Sequence, residues 1–221
     1  MSLTLYSQWR ATAPYRVRIG LALKGLDYAY EPVDLVAGAQ HKPAYRAVNI
    51  QRLVPTLDLG DGTDVLTQSL AILEYLDEIH PEPALMPKDP MDRARVRAMA
   101  GVIACDIHPL NNMRVQRALE AMDVAAPRRA KWTERWIVDG FNTLEPMIAK
   151  YGDGFCFGDT PTIADCCLIP QIYSAARYKV ELDAWPAIQA VGLRSKEHPA
   201  FIAALPENQP DAIPAFAGMS G

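Results

Sequence analysis

Three groups of residues in this sequence stand where they could do chemistry. Gln68-Ser69 opens an apolar helical period, so an amide side chain, a hydroxyl and the unbonded backbone N–H groups of a helix start would face a carboxylate together. The same serine reads equally well as an ordinary N-cap. Arg10, Arg114 and Arg177 offer guanidinium groups, whose planar fork suits bidentate carboxylate binding. A surface or interdomain salt bridge is the usual fate of such a side chain. Yet Arg177 ends a segment that is apolar nearly all round, and Arg114 falls on the core side of its helix when turned at about 100° per residue, so each needs an anionic partner. Pro109 can shift that phase by kinking the helix. His108, Asn111 and Asn112 recur at i, i+3 and i+4, a polar helix face turned from the apolar stripe that either binds a ligand or meets solvent.

Metal and disulfide chemistry are not indicated. Cys105, Cys156, Cys166 and Cys167 form no C-x-x-C, and the adjacent pair cannot readily bridge within a helix, so buried reduced thiols are expected. Residues 9–14, Trp-Arg-Ala-Thr-Ala-Pro, hold no cysteine, which argues against a thiol-disulfide oxidoreductase.

The elements that carry these groups follow from the apolar periods. Leu3–Tyr6 reads as a strand, a helix begins near Pro14 and ends at Gly25 with Val17, Leu21 and Lys24 on one face, and Tyr28–Val33 reads as a second strand. A right-handed crossover of this length sets those strands parallel. Pro55–Leu59 and Asp64–Leu66 flank Gly60-Asp61-Gly62, a hairpin signal, so the sheet is mixed. The helix from Gln68-Ser69 carries Ile72, Leu73, Leu76 and Ile79 on one face. Between residues 80 and 90 four prolines stand in eleven residues, too many for a helix, and we read a linker there. Beyond it Val96, Met99, Ala100, Ile103, Ala104 and Ile107 form one helical stripe, and further helices are expected near 127–149, 162–179, 185–194 and 197–204. Thr162 and Asp165 before an apolar run make the acidic form of a capping box. The expected architecture is an α/β domain over 1–84, with a mixed four-stranded sheet in βαβ-ββα order, and an all-α helical bundle over 91–221, joined by the linker 80–90.

Composition is that of an ordinary globular chain, 221 residues with half apolar and 22% charged. With 22 Lys and Arg against 26 Asp and Glu, the formal net charge of −4 supplies no basic field for a nucleic-acid partner. No apolar run approaches the roughly 20 residues of a membrane span, and MSLTLYSQWR lacks a secretory pattern, so a cytoplasmic protein without a membrane partner is expected.

Taken in order, Trp9-Arg10, Tyr15-Arg16-Val17-Arg18-Ile19, Val54-Pro55, Gln68-Ser69, the run from Cys105 to Asn112, the run from Gly158 to Asp165 and Ala176-Arg177 resemble the zeta class of the glutathione transferases over nearly the whole chain. The resemblance implies a thioredoxin-like first domain that binds glutathione and a helical second domain that binds substrate. It implies a cis Val54-Pro55 peptide, where the residues alone suggest only a strand-start proline, with the Val54 backbone paired to the cysteinyl part of glutathione. It places Gln68 and Ser69 on the γ-glutamyl carboxylate, His108 and Asn112 beside the cofactor, and Arg10, Asn111, Arg114 and Arg177 on a dicarboxylic keto acid. A two-fold homodimer is also implied. The sequence departs from the class after Trp9-Arg10: a Ser-Ser-Cys run is replaced by Ala11-Thr12-Ala13, so the serine that steadies the glutathione thiolate is absent. Thr12 or the backbone amides of Ala13 and its neighbours remain for that task, since a helix N-terminus lowers a thiol's pKa.

The class includes maleylacetoacetate and maleylpyruvate isomerases, which implies cis–trans isomerisation of an unsaturated diketo acid to its fumaryl isomer in aromatic catabolism. Rotation about C=C requires that bond to be lost temporarily, and conjugate addition of a thiolate does this. Arg10, Arg177 and Thr12 are then the catalytic candidates. The alternatives are a zeta-class transferase acting on α-halo acids or xenobiotics and, given Ala11 and Ala13, a glutathione-binding relative without catalysis.

Overall fold

The computed structural model describes residues 2–60, 62 and 64–213. Contacts group them into two units, one built from residues up to Leu85 together with those from Glu197 onward, the other from Met86–Lys196.

In the first unit β1 (Leu3–Ser7), α1 (Thr12–Leu23) and β2 (Tyr28–Pro32) form the expected crossover, and β1 pairs parallel with β2, Leu5 opposite Tyr30. The turn at Ala39–His41 and α2 (Pro43–Val48) lead to β3 (Thr56–Asp58), antiparallel to β1, and β4 (Val65–Thr67) closes a hairpin on β3. The sheet order is β2-β1-β3-β4, mixed as expected. Asp61 of the hairpin signal lies outside the described residues. Leu5 and Leu57 of the sheet meet Val17 and Leu21 of α1 and Ile72 and Leu76 of α3 (Ser69–Ile79), all wholly buried. Each such side chain stabilises the fold by about 1.5–3 kcal/mol relative to exposure. Gly20 lets α1 approach α3, because a Cβ there would overlap Leu73. Ile79, expected on the same face, is 46% exposed at the frayed end of α3. Gly25 takes the left-handed conformation, φ +63°, that ends α1.

Lys24 is buried, and its ammonium is tolerated because Nζ lies 2.7 Å from Asp77 Oδ1, 2.6 Å from the His80 carbonyl and 2.5 Å from the Pro83 carbonyl. The start of the proline-rich segment is thereby tied to α1.

The first unit differs from the sequence expectation in two ways. Neither α2 nor the turn before it shows in the apolar period, since Tyr45 is the only buried residue of α2. The C-terminal segment, expected within the helical domain, contacts the sheet unit instead. Phe201 of α10 (Pro199–Ala203) is buried, and the Arg18 guanidinium donates to the Ala204 carbonyl at 3.2 Å. Periodicity finds such a helix but not the core it joins. Residues 214–221 of that expected domain lie outside the described residues.

The second unit is helical: α4 (Pro90–Gly101), a π-helical turn at Val102–Ile107, α5 (His108–Asn111), α6 (Met113–Ala121), α7 (Ala126–Tyr151), α8 (Ile163–Arg177) and α9 (Pro186–Ser195). The Asp89 carboxylate caps α4 by accepting from the Met91 and Asp92 amides. Val96, Met99, Ala100, Ile103 and Ile107 are buried as the stripe predicts, with Ala104 half-buried. Gly140 in α7 admits Ile107, which a Cβ would overlap. α8 is buried along most of its length, and its capping box forms: Thr162 Oγ1 accepts from the Ala164 amide at 3.2 Å, while Asp165 Oδ2 accepts from the Thr162 amide and hydroxyl, both at 2.8 Å. Asp165 Oδ1 also accepts from the Cys156 amide at 2.7 Å, so the box ties the preceding loop to the helix. α6 was not legible from a core stripe, as none of its residues is buried.

All the cysteines are free thiols; Cys156, Cys166 and Cys167 are buried as expected, and burial pushes the Cys156 thiol well up. Cys105 is exposed, because it sits between Ile103 and Ile107 on the far side of the stripe. Among the described residues no helix is long and apolar enough to cross a membrane, and no cluster of three or more His, Cys, Asp or Glu could hold a metal ion.

Candidate functional site

In the first unit the candidate residues gather at the starts of two helices. Ala11 is the N-cap of α1, in extended conformation, and has no side chain with which to cap it. The first intrahelical bond runs from the Tyr15 amide to the Ala11 carbonyl at 3.1 Å. The amides of Thr12 and Ala13 are therefore among the orphan donors of a helix start, Pro14 having none to offer. Thr12 and Ala13 are half-buried. Trp9 before them is buried, and the Arg10 guanidinium carbon lies 5.5 Å from the centre of its ring. Beneath this loop lies Arg18, wholly buried, which donates to Ser7 Oγ and to the carbonyls of Gln8 and Trp9.

The Val54-Pro55 peptide is cis, as is Glu82-Pro83. The loop ahead of Val54 is pinned from α2. Tyr45 donates its hydroxyl to the Leu53 carbonyl at 2.6 Å, and the Asn49 amide donates to the same carbonyl and to Thr56 Oγ1, each at 2.9 Å. Among the described residues the Val54 backbone makes no turn, loop or cap hydrogen bond.

Gln68 caps α3 through its backbone alone, at φ +68°. A non-glycine residue at positive φ is costly and is held there only by its surroundings. Ser69 is consequently the first helical residue and not the N-cap. Its buried hydroxyl accepts from Arg16 Nη1 at 3.2 Å, which leaves the O–H proton free to point elsewhere. The Gln68 side chain donates to Gln51 Oε1 at 3.0 Å.

In the second unit the chain breaks where one helix was expected. Asn112 is extended, at φ −61° and ψ 146°, and its Oδ1 accepts from the Arg114 amide at 3.0 Å as the N-cap of α6. His108 and Asn111 thus share α5, while Asn112 stands at the break, its Nδ2 end left over. Both polar atoms of the Asn111 amide are buried without a hydrogen-bond partner among the described residues. Such an orphaned amide costs about 1–3 kcal/mol, which a bound molecule can relieve. Arg114 is exposed, not core-facing, because the π-helical turn and the break at Asn112 reset the helical phase. Arg177, at the end of α8, is also exposed, so burial does not force an anionic partner on it.

Two helix starts without a side-chain cap, each with a hydroxyl at its first residue, fit a ligand carrying a carboxylate and a thiol. Models of the glutathione S-transferase N-terminal and C-terminal domains match residues 13–79 and 113–201. The maleylacetoacetate isomerase of Pseudomonas aeruginosa is 47% identical over 211 residues, 95% of this chain and 98% of that one. A holo structure of a maleylpyruvate isomerase, described as a bacterial zeta-class glutathione S-transferase, is 43% identical, with a TM-score of 0.92 over 95% of this chain and 100% of that one. The chain belongs to the zeta class of the glutathione S-transferase family. A maleylacetoacetate isomerase from Anaeromyxobacter dehalogenans with bound glutathione is 42% identical, with a TM-score of 0.88 over 96% of this chain and 98% of that one. In this zeta-class transferase the residues that support the first unit's candidate positions include several with no role assigned from sequence: Arg16 under Ser69, Arg18 under the Trp9 loop, and Tyr45 and Asn49 behind Val54. Two arginines inside an otherwise apolar helix were the signal that could have found the first pair.

Proposed function

We propose that this transferase is a glutathione-dependent cis–trans isomerase that converts maleylpyruvate or maleylacetoacetate to the fumaryl isomer. The observation that carries the reading is similarity above 40% identity, along nearly the full chain, to isomerases of both keto acids. When bound, glutathione would supply a thiolate for reversible conjugate addition to the double bond, the C–S bond formed before rotation breaking after it so that the C=C bond and the thiolate are both restored. The Thr12 hydroxyl and the Ala13 amide at the start of α1 hold the sulfur's negative charge, helped by the helix dipole. The Val54 backbone pairs with the cysteinyl peptide, and the amide and hydroxyl of Ser69 with Gln68 take the γ-glutamyl carboxylate. His108 and the Nδ2 end of Asn112 serve the cofactor, and the Asn111 amide serves the substrate. Arg10, Arg114 and Arg177 bind the substrate carboxylates and stabilise charge developing on its carbonyl oxygen. The protein works as a homodimer in this reading, which the 85% exposed Ile50 supports as an apolar group for a second copy to cover.

The test is an absorbance assay of both keto acids with and without glutathione, alongside titration calorimetry for glutathione. Isomerisation only in its presence is expected. Tight glutathione binding without turnover of either acid would overturn the reading in favour of a non-catalytic relative.

A further inference from the structure

We propose that Asp211 is a positioning residue for the thiolate site, acting through the Gln8–Trp9 peptide. The inference rests on the glutathione-dependent reading above and deepens it.

Two successive peptides at Trp9 are gripped. The Gln8–Trp9 peptide donates its N–H to Asp211 Oδ2 at 3.1 Å while its carbonyl, that of Gln8, accepts from Arg18 Nη1 at 3.4 Å, and the carbonyl of the next peptide, that of Trp9, accepts from Arg18 Nη2 at 2.7 Å. A carboxylate at the N–H end and a guanidinium at the C=O end of the Gln8–Trp9 peptide both lie along the favourable direction of its dipole, and these bonds are charge-assisted. Two residues later the chain enters α1 at Ala11, whose own amide donates to the Gln8 carbonyl at 3.1 Å; that carbonyl also accepts from Arg18 Nη1 at 3.4 Å. The placement of residues 8–11 therefore follows from the Trp9 clamp, and with it the aim of the Thr12 hydroxyl and the first amides of α1.

Asp211 is itself held. Its Oδ1 accepts from the Tyr30 hydroxyl of β2 at 2.6 Å, and the segment that carries it is anchored upstream, where Gln209 Nε2 donates to the carbonyls of Ala203 and Leu205. The charged and titratable groups facing Asp211 are Arg18 and Tyr30. Arg18 is buried, and among the described residues its guanidinium hydrogen-bonds to neutral oxygens, of Ser7, Gln8, Trp9 and Ala204, so Asp211 supplies an opposing charge on the far side of the Gln8–Trp9 peptide. In a chain where Ala11 replaces a thiolate-steadying hydroxyl, the sulfur depends on the donors whose aim this clamp sets.

The experiment compares the wild type with Asp211→Ala, Asp211→Asn and Tyr30→Phe by amide hydrogen exchange over residues 8–13 without glutathione, by the ultraviolet thiolate absorption of bound glutathione against pH, and by kcat and KM. For Asp211→Ala the expected results are at least a tenfold loss of Trp9 amide protection, bound-thiol ionisation raised by about one pH unit, and kcat lowered about tenfold with KM changed less than about threefold. Asp211→Asn keeps an acceptor for the Trp9 amide but not the charge and recovers only part of each loss; Tyr30→Phe shows a smaller shift in the same direction. If Asp211→Ala does not fold, the other two variants carry the test, and wild-type thiol ionisation in both overturns the proposal. So does an Asp211→Ala protein that melts earlier yet keeps the wild-type thiol ionisation and kcat, for that is a latch of purely structural importance. Failure of the wild type to bind glutathione would sink the isomerase reading instead, while exchange at Trp9 still reports on the clamp.

Discussion

Thr12 carries the one side-chain hydroxyl at the start of α1, where Ala11 and Ala13 offer only backbone. A hydrogen bond to a charged sulfur is worth about 1.5–3 kcal/mol, so Thr12→Val, which keeps the branched shape, is expected to lower kcat by roughly 10- to 100-fold and to raise the pH at which bound glutathione ionises. Steady-state kinetics with a thiolate absorbance titration checks this, and unchanged turnover would transfer the task to the amides of Thr12 and Ala13. At this scale residue types were legible and their surroundings were not. Gln68-Ser69 reads from the sequence as a helix start that either faces an anion or is simply capped, and the left-handed turn at Gln68 moves Ser69 into the helix and gives its hydroxyl to Arg16. No propensity marks glutamine for positive φ; the chain around it imposes that conformation. The two helical-domain arginines do not have the buried surroundings that the helical pattern suggests, since both are exposed.

Among the elements, α8 was the most legible because its start is determined locally. Thr162 and Asp165 satisfy helix-start donors within a few residues, and a short-range rule of that kind does not depend on the fold. Thr162→Ala is expected to lower the unfolding free energy by about 1–2 kcal/mol, read as a lower urea midpoint at unchanged slope. Glutathione affinity should not move, as Thr162 is spent wholly on the cap. The stretch from α4 to α6 is the opposite case. Its stripe was right from Val96 to Ile107, but a π-helical turn over Val102–Ile107 shifts the phase and an extended Asn112 then interrupts the period. Extrapolating one angle per residue across Pro109 therefore misplaced Arg114, and only the path of the backbone could correct it. α2 was missed for a related reason: a helix whose single buried residue is Tyr45 has no apolar period, although that tyrosine and Asn49 hold the loop before Val54.

For the whole molecule the decisive feature is that residues 197–213 return to the sheet unit. A chain truncated after Lys196 loses the buried Phe201, the acceptor that Ala204 offers Arg18, and the Asp211 bonds to Trp9 and Tyr30. Burial of the phenylalanine alone is worth about 1.5–3 kcal/mol, so this truncation is expected to destabilise the sheet unit by at least that much and to abolish glutathione binding, measured by urea unfolding and calorimetry. Glutathione affinity equal to that of the full chain would show that the returning segment is dispensable to the site. By itself the sequence determined what depends on neighbours along the chain: the βαβ-ββα order, the mixed sheet, the capping box, the buried stripe and the family motifs. Tertiary structure alone decided that the last segment packs on α1, that a buried Arg18 and a C-terminal Asp211 clamp the same peptide, and that Ser69 answers to Arg16. Those partners are brought together by packing between residues distant in sequence, and neither periodicity nor propensity carries information about which distant surfaces will meet.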